Sequence, residues 1–200
     1  MQRVKTSRLI AFSDSVMVVA VVLLVYNLAA LVTTDPNAFQ EEIFFHTLAA
    51  YIGSFIVVFF YWVVFTTLLE YIKDLDDVIV SLSLIFLILI TLTPVASVAE
   101  EQSKNPRSLF FIASIEISAG SLLLIIFFYV TKGKVPSTHA AKRTLINVCV
   151  IPSIYTVTLF VSFLNYTIAQ LLTFSVIPLF VIIRMKTHKM YPDDDISPRI

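Results

Sequence analysis

Residues 7–32 read SRLIAFSDSVMVVAVVLLVYNLAALV, and this stretch decides what kind of protein the chain forms. From Val16 onward nearly every side chain is apolar, over about the 20 residues that a helix needs to cross the hydrocarbon core of a bilayer. Arg8, Ser13 and Asp14 nevertheless stand at or just inside the start of this segment. A carboxylate at that depth is unfavourable unless it faces protein or water. The stretch therefore predicts a membrane helix whose polar residues find partners on other helices or in the headgroup region.

The composition of the whole chain extends this membrane assignment. Of its 200 residues 58% are hydrophobic and 14% are charged, and the mean hydropathy is +0.90. A soluble domain is about half apolar and about a quarter charged. The net charge of zero gives no reason to expect a nucleic-acid partner, and the single cysteine, Cys149, excludes a disulfide framework or a cysteine-based metal site within one chain. We expect no metal site and no cofactor.

Six apolar segments are long enough to cross a bilayer, and their continuous rather than alternating pattern predicts helices. They cover residues 9–32, 43–69, 78–98, 109–130, 145–164 and 167–183. Only Asn165 and Tyr166 separate the last two, which predicts a tight helical hairpin. Pro36, Pro106 and Pro136 stand in polar connectors and are predicted to stop helices. The chain, 1–200, is therefore predicted to form one all-α domain, a polytopic membrane protein with six transmembrane helices.

The distribution of positive charge predicts the orientation. With both termini on one side, that side carries twelve Lys and Arg residues and the other side carries only Lys104 and Arg107. The twelve are Arg3, Lys5, Arg8, Lys73, Lys132, Lys134, Lys142, Arg143, Arg184, Lys186, Lys189 and Arg199. Because Lys and Arg accumulate in cytoplasmic loops, we predict a cell-membrane protein with cytoplasmic termini.

One face of the first segment has a helical repeat. Ser15, Val19, Val22, Leu23 and Tyr26 follow the spacing i, i+4, i+7, i+8, i+11, which places them on one stripe of an α-helix. Such a stripe suits lipid, a neighbouring helix or the wall of a pore equally well. Periodicity does not choose between these environments.

Two carboxylates inside the predicted spans leave the function open at this point. Asp14 and Glu116 either hold helices together by hydrogen bonds or couple protons or substrate in a secondary transporter. Pro152 and Pro178 interrupt the last two spans, as in many transporters, but the chain shows no internal repeat. No phosphate-binding loop, nucleophile motif or paired histidine appears, so we do not expect an enzyme.

The opening motif resembles that of a known family. Arg8, Phe12, Ser13 and Asp14 fit Arg-x-x-x-Phe-Ser-Asp, the signature at the start of the first helix in the transmembrane protein 175 family of potassium channels. Further similarity lies in the second and third segments, at Ser54, Phe55, Trp62, Leu92, Thr93 and Pro94.

This resemblance implies a potassium-permeable channel assembled as a homotetramer, with a central pore lined by the first helix. The pore constriction would be formed by Val19, Leu23 and Tyr26, and Ser15 and Val22 would line the pore and influence selectivity. An inter-helix network that locks the first helix would comprise Arg8, Phe12, Ser13, Asp14 and Trp62. The implied partners are the lipid bilayer, the other three copies of the chain and permeant monovalent cations, K+ among them.

Four positions depart from the family pattern. Ser15 stands where a glycine usually follows the aspartate, and Val22 stands where a threonine linked to potassium selectivity is frequent. Phe65 and Thr66 replace the histidines that usually follow the tryptophan. Strong selectivity for potassium therefore does not follow from the resemblance.

Overall fold

A computed structural model describes residues 5–34, 42–70, 72, 75–103, 105–133 and 139–190, which form six α-helices and no strand. The helices are α1 Thr6–Thr34, α2 Glu42–Glu70, α3 Asp77–Ser103, α4 Pro106–Val130, α5 His139–Ser162 and α6 Tyr166–Met190. Each predicted apolar segment lies on its own helix, and the all-α prediction is confirmed. Most of the helices run past their apolar segments, but α5 ends at Ser162, before the predicted end of its segment at residue 164.

The connections follow local rules. Asn105 caps α4, because its side chain accepts hydrogen bonds from the backbone N–H groups of Arg107 and Ser108. Pro106 occupies the first helical position, so it opens α4, where its missing N–H is not needed. Pro36 and Pro136 lie outside the described residues.

The predicted hairpin between the last two helices is confirmed. The N–H groups of Leu164 and Asn165 both donate to the carbonyl of Val161 at 2.9 Å and end α5. The Asn165 side chain then accepts a bond from the N–H of Ile168 at 3.2 Å and caps α6.

Hydrogen bonds at the helix ends show which ends lie together. At one end, Thr6 donates to the carbonyl of Ile72 (3.3 Å) and Tyr129 donates to Asp76 (2.6 Å). The bond from Tyr129 and the helix N–H of Ile79 hold the pKa of the Asp76 carboxyl below its usual range. At the other end, Tyr166 donates to Glu100 at 2.8 Å. Successive helices are therefore antiparallel, and the start of α1 and the end of α6 share the end rich in Lys and Arg.

The six helices differ in how centrally they are packed in the bundle. One cluster of buried side chains joins all six helices, and its centre is α4, which packs mainly between α3 and α5. α1 packs on α2 and α3, while α6 packs on α5 and more lightly on α2. α4 and α5 approach closely at Gly120, where an added Cβ would meet the ring of Pro152 at 2.6 Å. Small residues allow such close contacts between membrane helices.

Five of the described helices are long and apolar enough to cross a membrane, and α6 makes six if its two limbs count as one span. The limbs of α6, Tyr166–Val176 and Pro178–Thr187, meet at an angle of 40°. Pro178 explains the bend, because proline lacks an N–H donor and its ring clashes with the preceding turn.

Candidate functional site

α1 has one face turned to its own chain. Leu9, Ser13, Met17, Ala20 and Leu24 are all buried, with at most 5% of each residue exposed. Their spacing of i, i+4, i+8, i+11 and i+15 defines a single side of a helix. This side packs on α2 and α3.

The opposite side of α1 is left uncovered by the described residues. It carries the stripe predicted from the sequence: Val19 is 53% exposed, Val22 58%, Leu23 39% and Tyr26 69%, and Ser15 is exposed as well. The fold therefore answers one of the questions that periodicity left open, since no helix among the described residues covers the stripe, although Val22 borders a groove shared with α2. The stripe faces lipid, another molecule or a pore.

Asp14 and Trp62 join α1 to α2. The indole N–H of Trp62 donates to Oδ1 of Asp14 at 2.7 Å, and both residues are half-buried. Asp14 lies about 12 Å from the start of α1 and Trp62 about 12 Å from the end of α2, so the antiparallel helices bring them to the same depth. The bond lies on the flank of α1, between its buried face and its exposed face, and it restricts rotation of the helix about its axis.

The other predicted members of the network are placed differently. The hydroxyl of Ser13 is buried, but it donates to the carbonyl of Ile10 at 2.7 Å. Its bond is therefore made within α1, and the inter-helix role of this hydroxyl stays a prediction. Such back-bonding is the usual way for a helical serine to satisfy its hydroxyl. Arg8 is exposed at the start of α1, and Phe12 is 49% exposed on the uncovered side.

An apolar groove lies beside the Asp14–Trp62 bond. Its volume is about 280 Å³, and α1 and α2 form its walls. Val18 and Val22 face Phe55 and Phe59 across it, and all four side chains are at least 37% exposed. The bond thus stands at the edge of an apolar surface formed jointly by the first two helices.

Glu116 is placed in the middle of the bundle. The residue is fully buried, and its Oε1 accepts a bond from the hydroxyl of Thr93 at 2.9 Å. The hydroxyl of Tyr61 donates to the backbone carbonyl of Glu116 at 2.7 Å. Oε2 has no hydrogen-bond partner within the described part of the chain. The residue therefore links α2, α3 and α4, away from the uncovered side of α1.

The partners of Glu116 are not evident from the sequence. The sequence indicates Thr93 only through the family resemblance, and nothing in it marks Tyr61. A second polar link, from the hydroxyl of Ser54 to that of Ser97 at 2.6 Å, joins α2 to α3 and is not evident from the sequence either. The available signal was the presence of small hydroxyl residues within apolar runs, since these often join membrane helices. Among the described residues, no group of three His, Cys, Asp or Glu side chains is placed to hold a metal ion.

The first part of the chain matches a known protein family. Residues 8–94, which include α2, most of α1 and much of α3, match the family described as endosomal/lysosomal potassium channel TMEM175. No curated protein matches the sequence.

The fold as a whole is similar to a solved structure, the crystal structure of a lysosomal potassium-selective channel TMEM175 homolog from Chamaesiphon minutus. The TM-score is 0.75 at 17% sequence identity, and the similarity covers 91% of this chain and 97% of that chain. At this identity the likeness shows the fold. The resemblance predicted from the opening motif is confirmed by the family match, and the membrane fold by the structural match.

Proposed function

Because residues 8–94 match the family described as endosomal/lysosomal potassium channel TMEM175, we propose that the chain is a potassium-permeable cation channel whose pore is lined by α1. In this proposal four copies surround a central axis, and each presents the uncovered side of α1 to it. Cations cross passively, without a cofactor and without a catalysed reaction.

The single observation that carries this proposal is the division of α1 into two sides. The helix is fixed to its own chain by one buried face and by the Asp14–Trp62 bond, while the predicted stripe is left free. A pore-lining helix needs such a free face together with a defined rotation. A helix that only anchored the chain in lipid would need no polar bond to set its rotation.

The stripe supplies the parts of an apolar constriction. Val19 and Leu23 are one helical turn apart, about 6 Å along the axis, and Tyr26 lies about one turn further. Four copies would form successive rings of these side chains around the axis. A narrow apolar ring resists ion passage because water leaves it, and a constriction of this kind gates by wetting. Ser15 and Val22 lie on the same stripe and would line the wider parts of the pore.

The proposed orientation places both termini in the cytoplasm of a cell-membrane protein. It rests on the excess of Lys and Arg at the end that holds the start of α1 and the end of α6. Of the twelve basic residues counted at that end, Arg3, Lys73, Lys134 and Arg199 lie outside the described residues, and so does Lys104, which is counted at the other end.

Recording from the purified protein in planar bilayers tests the channel function. We expect unitary currents whose reversal potential follows the gradient of K+ across the bilayer. Replacing K+ by Na+ on one side measures selectivity, which we expect to be modest because Val22 has no hydroxyl to contribute. A protein that forms tetramers but conducts neither ion would contradict the proposal.

One observation favours a second candidate function, a secondary transporter that uses Glu116. Its Oε2 is buried without a partner in the described residues, and Pro152 and Pro178 interrupt α5 and α6. In proteoliposomes a transporter would couple ion flux to a proton gradient, so its reversal potential would shift with pH. A channel for K+ would give the same reversal potential at equal and unequal pH.

A further inference from the structure

A cavity of about 500 Å³ lies between α2, α5 and α6. It is separate from the uncovered face of α1, and its volume falls within the range of about 300–1,000 Å³ that is usual for ligand sites. All the α6 residues that line it belong to the limb Pro178–Thr187, beyond the bend in α6. This limb runs at an angle of 40° to the rest of α6. The bend therefore changes the direction of α6 where it lines the cavity.

The inner part of the cavity is apolar. Val63 and Val64 of α2 line one side, and Val181 of α6 lines another. The rings of Phe60 and Phe180 close it at the deep end, with their centroids 3.6 Å apart. These surfaces match a hydrocarbon chain and offer nothing to a small hydrophilic ion.

The outer part of the cavity is cationic. Arg143 of α5 and Arg184 of α6 both line it, and they are the charged residues among its described walls. Arg143 is about 6 Å from the start of α5 and Arg184 about 9 Å from the end of α6, so both lie at the same end of the bundle, near the depth of lipid headgroups. Guanidinium groups bind phosphate through paired N–H donors.

Uncharged polar groups accompany the two arginines. Thr67 of α2 and Thr144 and Asn147 of α5 also line the cavity. Oδ1 of Asn147 is buried and has no hydrogen-bond partner among the residues that the structure describes. A hydroxyl group of a bound molecule would satisfy this acceptor.

We propose that this cavity binds an anionic phospholipid, with its phosphate between Arg143 and Arg184 and an acyl chain against Phe60 and Phe180. Basic pockets between membrane helices at the cytoplasmic side suit this chemistry, because anionic lipids are abundant there. Free phosphate shares the charged part of the ligand, but it would leave the apolar walls uncovered. The proposal goes beyond ion conduction and does not depend on it.

Native mass spectrometry of protein released from nanodiscs tests the site. The nanodiscs contain phosphatidylcholine with a minor fraction of phosphatidylglycerol, and the measured quantity is the phosphatidylglycerol retained by each chain. We expect saturable retention of one such lipid per chain. The double variant Arg143→Gln/Arg184→Gln should lower its apparent affinity by about tenfold or more, since each basic residue contributes measurably to binding of anionic lipid.

Two matched controls separate the cavity from general surface charge. Lys186→Gln/Lys189→Gln removes two exposed cations from the same end of α6 without touching the cavity, and should retain the lipid. Val181→Trp fills the cavity but keeps both arginines, and should lose the lipid. Ile182→Trp, at the exposed neighbouring position, should retain it.

Equal losses in the arginine and lysine variants would overturn the proposal in favour of diffuse attraction. Retention by Val181→Trp would overturn it as well, because the lipid would then lie elsewhere. Displacement by millimolar inorganic phosphate or glycerol 3-phosphate would show that a free phosphate is the ligand and would also overturn it. Since lipid retention is measured without current, these outcomes are independent of the channel proposal.

Discussion

Two membrane helices of this protein each carry a carboxylate, and the two helices are packed in opposite ways. In α1, 28% of the residues in the membrane-spanning window are buried, against 50% in α4. Asp14 of α1 is half-buried and is bonded to Trp62 at the edge of an apolar groove. Glu116 of α4 is fully buried and is bonded to Thr93 in the centre of the bundle.

The difference teaches how a carboxylate in a membrane helix is to be interpreted. α4 is positioned by close packing with α3 and α5, and removing one polar bond leaves that packing in place. α1 is held from one side only, so a bond on its flank has a large share in setting its rotation. We therefore expect substitutions on α1 to change conduction and assembly, and substitutions on α4 to change stability.

The largest effect is expected from Leu23→Ser, which places a hydroxyl on the uncovered side of α1. In the proposed tetramer, four hydroxyl groups in one ring would hydrate the proposed constriction and lower the barrier to ions. We expect a rise in single-channel conductance of about tenfold, which corresponds to about 1.4 kcal/mol, and a weaker preference for K+ over Na+. Bilayer recording in both salts measures the two quantities.

Val25→Ser is the matched control for this substitution. Val25 is on the same helix and is 45% exposed, but it lies off the stripe. Its conductance should remain that of the unmodified protein. If Leu23→Ser also leaves conductance and ion preference unchanged, the stripe faces lipid and α1 does not line the pore.

Val22→Thr should have the opposite effect on ion preference. It introduces the hydroxyl that is common at this position in the family, and it should sharpen selectivity for K+ over Na+.

Asp14→Ala is expected to weaken the proposed tetramer before it changes permeation. The substitution leaves the half-buried indole N–H of Trp62 without its acceptor, at a cost of about 1–3 kcal/mol. The fraction of tetramer in size-exclusion chromatography should fall at low protein concentration. Asp14→Asn keeps an acceptor oxygen and should lose less.

A double-mutant cycle with Trp62→Phe sharpens the interpretation of Asp14. If the two side chains act through their bond, the double variant should be little worse than either single variant. Additive losses would show that each acts independently. A variant at Asp14 that elutes as a normal tetramer yet conducts nothing would place the carboxylate on the ion path.

Gly120→Ala tests whether α4 is positioned by its close packing with α5. The added Cβ would lie 2.6 Å from the rigid ring of Pro152, so α4 and α5 have to separate. Overpacking of this kind costs about 1–3 kcal/mol. Thermal unfolding in detergent should occur several degrees lower, whereas Ser121→Ala, at the exposed neighbouring position, should leave the midpoint almost unchanged. Equal midpoints for the two variants would show that the α4–α5 contact adapts without loss.

The helices were predictable from the sequence because a bilayer imposes a minimum apolar length. The hairpin at Asn165 was predictable for the same reason, since two spans with almost no connector between them admit no other arrangement. The stripe on α1 was predictable as a pattern. Its lack of cover by any described helix was not predictable, because Val has the same affinity for lipid as for a neighbouring apolar helix.

Individual side-chain contacts could not be predicted from the sequence. The bond of Ser13 to Ile10 and the bond of Glu116 to Thr93 depend on how each helix is rotated, and an apolar segment read alone does not fix its rotation. Arg143 and Arg184 entered only the count of positive charges. Their place on one cavity depends on the packing of α2, α5 and α6, which no pattern within a single helix reveals.

The smallest effect on conduction is expected from Glu116→Gln. Glutamine has the same shape, and its carbonyl oxygen can accept the bond from Thr93 while the charge is removed. Glu116 is buried in the bundle and lies away from the uncovered side of α1, which is the proposed pore lining. Currents should therefore stay within about twofold of those of the unmodified protein. Glu116→Leu removes the acceptor too, and should lower the unfolding midpoint while sparing the current of the folded fraction. Abolished flux in a correctly folded Glu116→Gln protein would reverse the comparison, because the core carboxylate would then be the functional one and the transporter the better candidate.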